Sequence, residues 1–232
     1  MGLIGAADQV QLRERFGGMQ RPVRLLFFTQ TLGCETCLQT RQILDELPLL
    51  SDKVTIEEIN FVLEPDKARQ YEIDRVPAIA IVGQDESGAE RDSKIRFLGA
   101  PSGYEFASLV QALLLVGGVA GTLSAENLTR VASVTSPVTM RVFTTPTCPH
   151  CPRAVSLAHE MAFANPNITA YAVEATEFPD LARRYQVTGV PKTVVNASGD
   201  AGDPADVVEI LGALPPDDFV SQALASFSDK PL

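Results

Sequence analysis

Pro179-Asp180-Leu181-Ala182-Arg183-Arg184-Tyr185 restates, without a gap, the earlier stretch Pro65-Asp66-Lys67-Ala68-Arg69-Gln70-Tyr71, with five identities in seven positions at an offset of 114 residues. The same offset carries outward in both directions. Upstream, Cys34 and Cys37 recur as Cys148 and Cys151, and downstream Val76-Pro77 recurs as Val190-Pro191. In each copy the first cysteine stands 43 residues before the proline. A period this long is that of a whole domain rather than a solenoid unit, so the chain reads as two copies of one redox fold.

The 232 residues divide into two units of ordinary domain size. The boundary falls near Gly118, giving units 1–118 and 119–232, because residues 117–137 are rich in Gly, Ser, Thr and Ala. A hydrophobic content of 45% with 21% charged residues is that of a globular protein able to bury a core in either copy. A net charge of −10 excludes nucleic acid as a partner, since phosphate binding needs clustered Lys and Arg. The longest apolar run, Ala112 to Ala120, has nine residues, against roughly 20 needed to cross a bilayer. Met1 to Arg15 carries no basic region ahead of an apolar stretch, so a cytoplasmic location is expected. Thiols are kept reduced there, and cysteines are more often catalytic or metal-binding than structural. The two pairs lie 111 residues apart, whereas paired zinc motifs follow within roughly 20 residues. No metal is expected.

Each copy reads β-α-β-α-β-β-α. In the first, strands are expected over 22–28, 54–62, 78–82 and 94–98, with a helix from Cys37 that ends before Pro48, a short helix opened by Pro65 and a closing helix over 104–116. In the second, strands are expected over 138–144, 169–173, 193–195 and 207–211, with helices over 148–164, 179–185 and 217–227. A lead-in helix is expected over 6–16, and Ser124-Ala125-Glu126-Asn127 opens another before the second copy. Tyr71 and Tyr185 are expected to pack the short helices on the sheet, and His159 to lie at the surface.

Two cysteines at i and i+3 on a helix's first turn can close a disulfide, and the helix's free N–H groups and positive end favour a thiolate on the first of them. A helix terminus contributes about 0.3 to 1 kcal/mol, up to roughly 2, enough for about one pKa unit. A larger effect needs a hydrogen bond to sulfur or a nearby cation. His150, beside Pro149, can supply either in the second copy, whereas the first has Glu35 and Thr36. The second site is therefore expected to hold its thiolate more firmly.

Thr145-Pro146-Thr147-Cys148-Pro149-His150-Cys151-Pro152 resembles a glutaredoxin or thioredoxin-like active site, and Val190-Pro191 matches the cis-proline that lies beside the dithiol in those families. The doubled arrangement resembles, over essentially the whole chain, the protein disulfide oxidoreductases built of two fused thioredoxin-fold units. The resemblance implies an α/β protein of two tandem thioredoxin-fold domains, each a mixed central sheet flanked by helices. It implies an enzyme that oxidises, reduces or isomerises disulfides in protein substrates, with Cys34 and Cys148 as nucleophiles and Cys37 and Cys151 as resolving thiols. It also implies cis bonds at Val76-Pro77 and Val190-Pro191 presenting a backbone edge to substrate, no cofactor beyond the redox disulfides, and a thioredoxin-reductase-like flavoprotein as regenerating partner. The N-terminal domain of the alkyl hydroperoxide reductase flavoprotein is similar too. Its resemblance implies an electron relay from a flavoprotein to a peroxidase, although the first dithiol of that domain is degenerate and both are intact here. A non-enzymatic scaffold or chaperone with an apolar groove is the alternative of another class. The chain has no Trp, so the Trp-Cys-Gly-Pro-Cys signature of thioredoxin itself is missing. No acidic residue lies in 24–28 or 139–143, so no proton-shuttling carboxylate is expected from those strands.

Overall fold

The computed structural model describes residues 4–197 and 207–227. The outer limits of the two expected units, residues 1 and 232, lie outside the described residues. After a lead-in helix α1 (Ala6–Gly17), the first copy runs β1 (Val23–Thr29), α2 (Cys37–Asp45), β2 (Val54–Asn60), α3 (Pro65–Gln70), β3 (Ala78–Gln84), β4 (Glu90–Leu98) and α4 (Glu105–Val116). The second follows α5 (Ala125–Ala132) with β5 (Val138–Thr144), α6 (Cys151–Ala164), β6 (Ile168–Glu174), α7 (Pro179–Arg184), β7 (Lys192–Ala197), β8 (Val208–Leu211) and α8 (Pro216–Ala223). Both α3 and α7 open on proline in the first helical turn, where the missing N–H removes no helical bond. The Ser124 hydroxyl caps α5 by accepting from the Asn127 N–H at 3.2 Å.

Among the described residues the strands form one mixed eight-stranded sheet in the order β2-β1-β3-β4-β6-β5-β7-β8. Its left half repeats in its right: β1 pairs parallel with β2 and antiparallel with β3, and β5 does the same with β6 and β7. The seam is a parallel pairing of β4 with β6, from Ile95 opposite Ala170 to Leu98 opposite Val173. Helices cover both faces, so β3, β5 and β6 are buried almost throughout and read as continuous apolar runs rather than alternating ones.

Three expectations change. The copies do not keep separate cores, because one buried cluster runs from Leu12 and Leu25 through Leu113 to Ala158 and Phe219. Strand β4 starts at Glu90 rather than Lys94. There the register slips between Ala80 and Val82 and Lys94 takes φ 61°, a bulge that breaks the alternation a pattern reading depends on. His159 is 1% exposed, not at the surface: α6 packs against both the sheet and α4, and the imidazole meets the Phe97 ring edge-on at 5.0 Å. Burial pushes its pKa down to about 3, so it is neutral. The tyrosines sit as expected, with Tyr71 beside Phe28 and Tyr185 beside Phe143. No helix of the described residues is long and apolar enough to cross a membrane.

Candidate active site

The sheet brings each dithiol to its Val-Pro. Strand β1 ends at Thr29 where β3 begins at Ala78, with Phe28 opposite Ala78 in the antiparallel register. The loop leaving β1 carries Cys34, and the peptide entering β3 is Val76-Pro77, which is cis. The second copy repeats this with Phe143 opposite Lys192 and a cis Val190-Pro191. The carbonyl oxygens of Pro77 and Pro191 are held by the N–H groups of Gly99 at 3.0 Å and Gly212 at 2.9 Å. Val76 and Val190 are half-buried, each just outside a buried proline.

Both cysteine pairs are closed disulfides, each with Cα atoms 5.5 Å apart. Helix α2 begins at Cys37, as expected, whereas α6 begins at Cys151 rather than at Cys148, with Thr36 and His150 as the N-caps. Each first cysteine therefore stands just ahead of the helix rather than on its first turn, where the free amides and the positive end of the helix face it. The outer cysteine is the more accessible in both copies. Cys34 is half-buried over a 6% exposed Cys37, and Cys148 is 8% exposed over a Cys151 at 0%. Pro152 falls at the second helical position. The N–H it lacks is one of the unsatisfied first-turn donors, so the proline costs α6 no internal bond but leaves one amide fewer for a thiolate.

The tuning residues differ between copies. His150, Pro149 and Glu35 are exposed, while Thr36 is half-buried. Neither N-cap side chain bonds its own helix. The Thr36 hydroxyl donates instead to Glu177 Oε2, from the second copy. In the reverse direction, the Tyr104 N–H of the first copy donates at 2.9 Å to the carbonyl oxygen of Pro146, in the second dithiol loop.

Three carboxylates at this seam were not singled out from the sequence. Glu105, the first residue of α4, is 3% exposed, and neither of its oxygens has a hydrogen-bond partner among the described residues. Burial pushes its pKa up to about 7, the Glu174 charge adding to this and the nearby Ser108 hydroxyl opposing it. Glu174, at the end of β6 opposite Thr144, accepts from the Thr176 hydroxyl at 2.7 Å and the Glu177 N–H at 2.6 Å. Burial also raises the Glu177 carboxyl, against the hydrogen bonds from Thr36 and Ala100. The buried carboxylates at this seam stand at the start of α4 and at and just after the end of β6. A signal was present: Glu177 stands where the repeat has Leu63. Among the described residues no cluster of His, Cys, Asp or Glu could hold a metal ion.

Residues 138–225 match the thioredoxin domain family. The chain is 32% identical over 195 residues to the AhpF component of alkyl hydroperoxide reductase from Xanthomonas campestris pv. phaseoli, spanning 84% of this chain and 33% of that protein. The AhpF protein of Pseudomonas putida is 32% identical over 123 residues, 53% of this chain and 24% of the relative. The chain thus spans a third or less of the length of these curated relatives. Among solved structures, the N-terminal domain of the alkyl hydroperoxide reductase of Enterococcus faecalis superposes with a TM-score of 0.81 at 26% identity, over 94% of this chain and 98% of that one. A protein disulfide oxidoreductase from Aeropyrum pernix K1 gives 0.82 at 26% identity, over 96% and 93%.

Proposed function

We propose that this chain, two thioredoxin folds in tandem, is a thiol–disulfide oxidoreductase acting on proteins through Cys34–Cys37 and Cys148–Cys151, with units 1–118 and 119–232. One observation carries the reading: in both copies a closed disulfide, its first cysteine the more exposed residue, lies at the sheet end that also holds a cis Val-Pro peptide.

The chemistry follows from that order. The thiolate of Cys34 or Cys148 attacks one sulfur of a substrate disulfide, forming a mixed disulfide, and the substrate's other sulfur leaves as a thiolate that takes up a proton. Cys37 or Cys151, having lost its own proton, then attacks the sulfur of its neighbour. The intramolecular disulfide closes and the second substrate thiol is released. Two electrons pass to the substrate; run backwards, the same steps oxidise it. The half-buried Val76 and Val190, next to the prolines, offer the edge against which an extended substrate segment lies. No cofactor enters these steps. In a reducing cytoplasm the dithiols need an electron source, for which a thioredoxin-reductase-like flavoprotein is the natural class.

The test is reduction of a disulfide-bonded protein by the pre-reduced chain, counting thiols released. Cys34→Ser and Cys148→Ser each impair turnover, and the double variant abolishes it. Full activity in the double variant would sink the proposal. A second reading, a relay between a flavoprotein and a peroxidase, is favoured by the likeness to AhpF over 84% of the chain. It is read from whether the chain restores NADH-dependent peroxide consumption to a mixture of a peroxidase and a flavoprotein lacking its own N-terminal domain.

A further inference from the structure

Thr36 lies between Cys34 and Cys37 and is the N-cap of α2. A threonine there ordinarily accepts a hydrogen bond from an amide of the first helical turn. It makes no such bond here; its hydroxyl donates to Glu177 Oε2, 141 residues along the chain. The other carboxylate oxygen, Oε1, accepts the Ala100 N–H at 2.8 Å. Gly99 makes the approach possible: at φ +96° it has no side chain, and a Cβ would stand 3.1 Å from the Glu177 carboxyl carbon and 2.6 Å from the Glu174 Cβ. Glu177 thus sits in a built cradle formed by the first copy. The titratable group facing it is Glu174, and no Lys, Arg or His pairs with it among the described residues. At the equivalent place in the first copy stands Leu63, 78% exposed. The acid is present where a neighbouring copy lies beneath it and absent where none does.

We propose that Glu177 is the positioning residue of the first dithiol: reaching across the seam, it holds the Thr36 hydroxyl away from the α2 amides, leaving them to the Cys34 sulfur, while its charge opposes the Cys34 thiolate. The two effects have opposite signs, and both rest on Cys34–Cys37 being a working dithiol. The α2 terminus acts on the sulfur through unsatisfied amides, which a capping threonine would occupy. A like charge nearby disfavours ionisation.

Two substitutions separate the effects. In Glu177→Gln the amide oxygen can keep the Ala100 N–H and the amide NH2 can donate to the Thr36 oxygen, so the position is kept and the charge is gone. In Glu177→Ala both are gone and Thr36 is free to cap α2. The pH dependence of alkylation, followed by mass spectrometry on reduced full-length protein, reads Cys34 in a Cys148→Ser/Cys151→Ser background and Cys148 in the converse one. The expected result is a lower Cys34 pKa in Glu177→Gln, with the thiolate fraction at neutral pH up roughly threefold, a Cys34 pKa in Glu177→Ala above that of the Gln variant, and Cys148 unmoved. An unchanged Cys34 in the Gln variant, equal values in Gln and Ala, or a matching shift at Cys148 would each overturn the proposal. A redox titration of wild-type Cys34–Cys37 against glutathione stands apart from these. If that pair fails to open and close reversibly, the exchange reading fails at this site, whereas a reversible pair with unmoved pKa values removes the role of Glu177 alone.

Discussion

The Tyr104 N–H and the Pro146 carbonyl oxygen, 2.9 Å apart, join the start of α4 in the first copy to the loop that presents Cys148 in the second. The approach depends on Gly103, at φ +60°, where an added Cβ would stand 2.2 Å from the Pro146 oxygen. Backbone cannot move aside as a side-chain tip can. Gly103→Ala is therefore expected to cost about 2 kcal/mol or more and to alter the alkylation rate of Cys148 more than that of Cys34. Urea denaturation and single-site alkylation measure the two effects; an unchanged urea midpoint would show that the contact carries no constraint.

Glu105 gives a pH dependence with a definite sign. Its ordinary pKa of 4.5 is pushed up to about 7 by burial, so between those values the folded protein holds a proton that the unfolded chain has released. The contribution is fully present below about pH 4.5 and is lost as pH rises through about 7. Glu105→Gln, which stays neutral, should be more stable than wild type at pH 8 by up to about 3 kcal/mol and nearly equal to it at pH 4. Thermal melts at the two pH values decide this, and equal gaps at both would contradict it.

Cys148 is expected to be the more acidic nucleophile and its disulfide the more easily reduced. Exposed His150 stands beside it in place of Thr36, and Pro149 in place of anionic Glu35. The amide lost at Pro152 works the other way, worth a fraction of the whole helix-end effect of about 1 kcal/mol. Iodoacetamide alkylation against pH in single-site variants measures both thiols, and a Cys34 pKa at or below that of Cys148 refutes the ranking.

Arg96 is 0% exposed on β4 and is held by Asp92 at 2.7 and 2.8 Å and by the Tyr71 carbonyl at 2.8 Å. Burial alone would raise the Asp92 carboxyl, but Arg96, with Lys94, holds it below its usual range. Asp92→Asn leaves the buried guanidinium without a counter-charge and should cost about 3 kcal/mol. Arg96→Met, which removes the charge itself, should cost less. Denaturant unfolding of both variants tests the order.

Much of this was legible because the repeat keeps its register. The 114-residue offset placed the dithiols, the Val-Pro peptides and the proline-opened helices α3 and α7 correctly. What escaped depends on contacts between copies. Glu105 is far in sequence from Glu174 and Glu177 and meets them because β4 pairs with β6, a pairing that no local pattern encodes. The start of α6 at its second cysteine rather than its first was missed for a different reason. Helix ends depend on which amides find partners, and in both loops the N-cap side chain makes no bond to its own helix. His159 was misplaced because one polar residue in a run of Ala, Leu and Met says little about which helix covers it.

The β4–β6 seam is head-to-tail: an outer strand of the first copy meets, in the second, the counterpart of β2. Such a junction does not close on itself. The molecule ends with β2 at one rim and β8, the counterpart of β4, at the other, so the same pairing could in principle add chain after chain into a filament. Charge guards the first rim, where Glu57 and Glu58 line β2 and are tied to Arg24, Lys67 and Arg41. Brevity guards the second, since β8 spans Val208–Leu211. Short edges and charged edges are the usual means by which sheets avoid polymerising, and each rim of this sheet carries one of them.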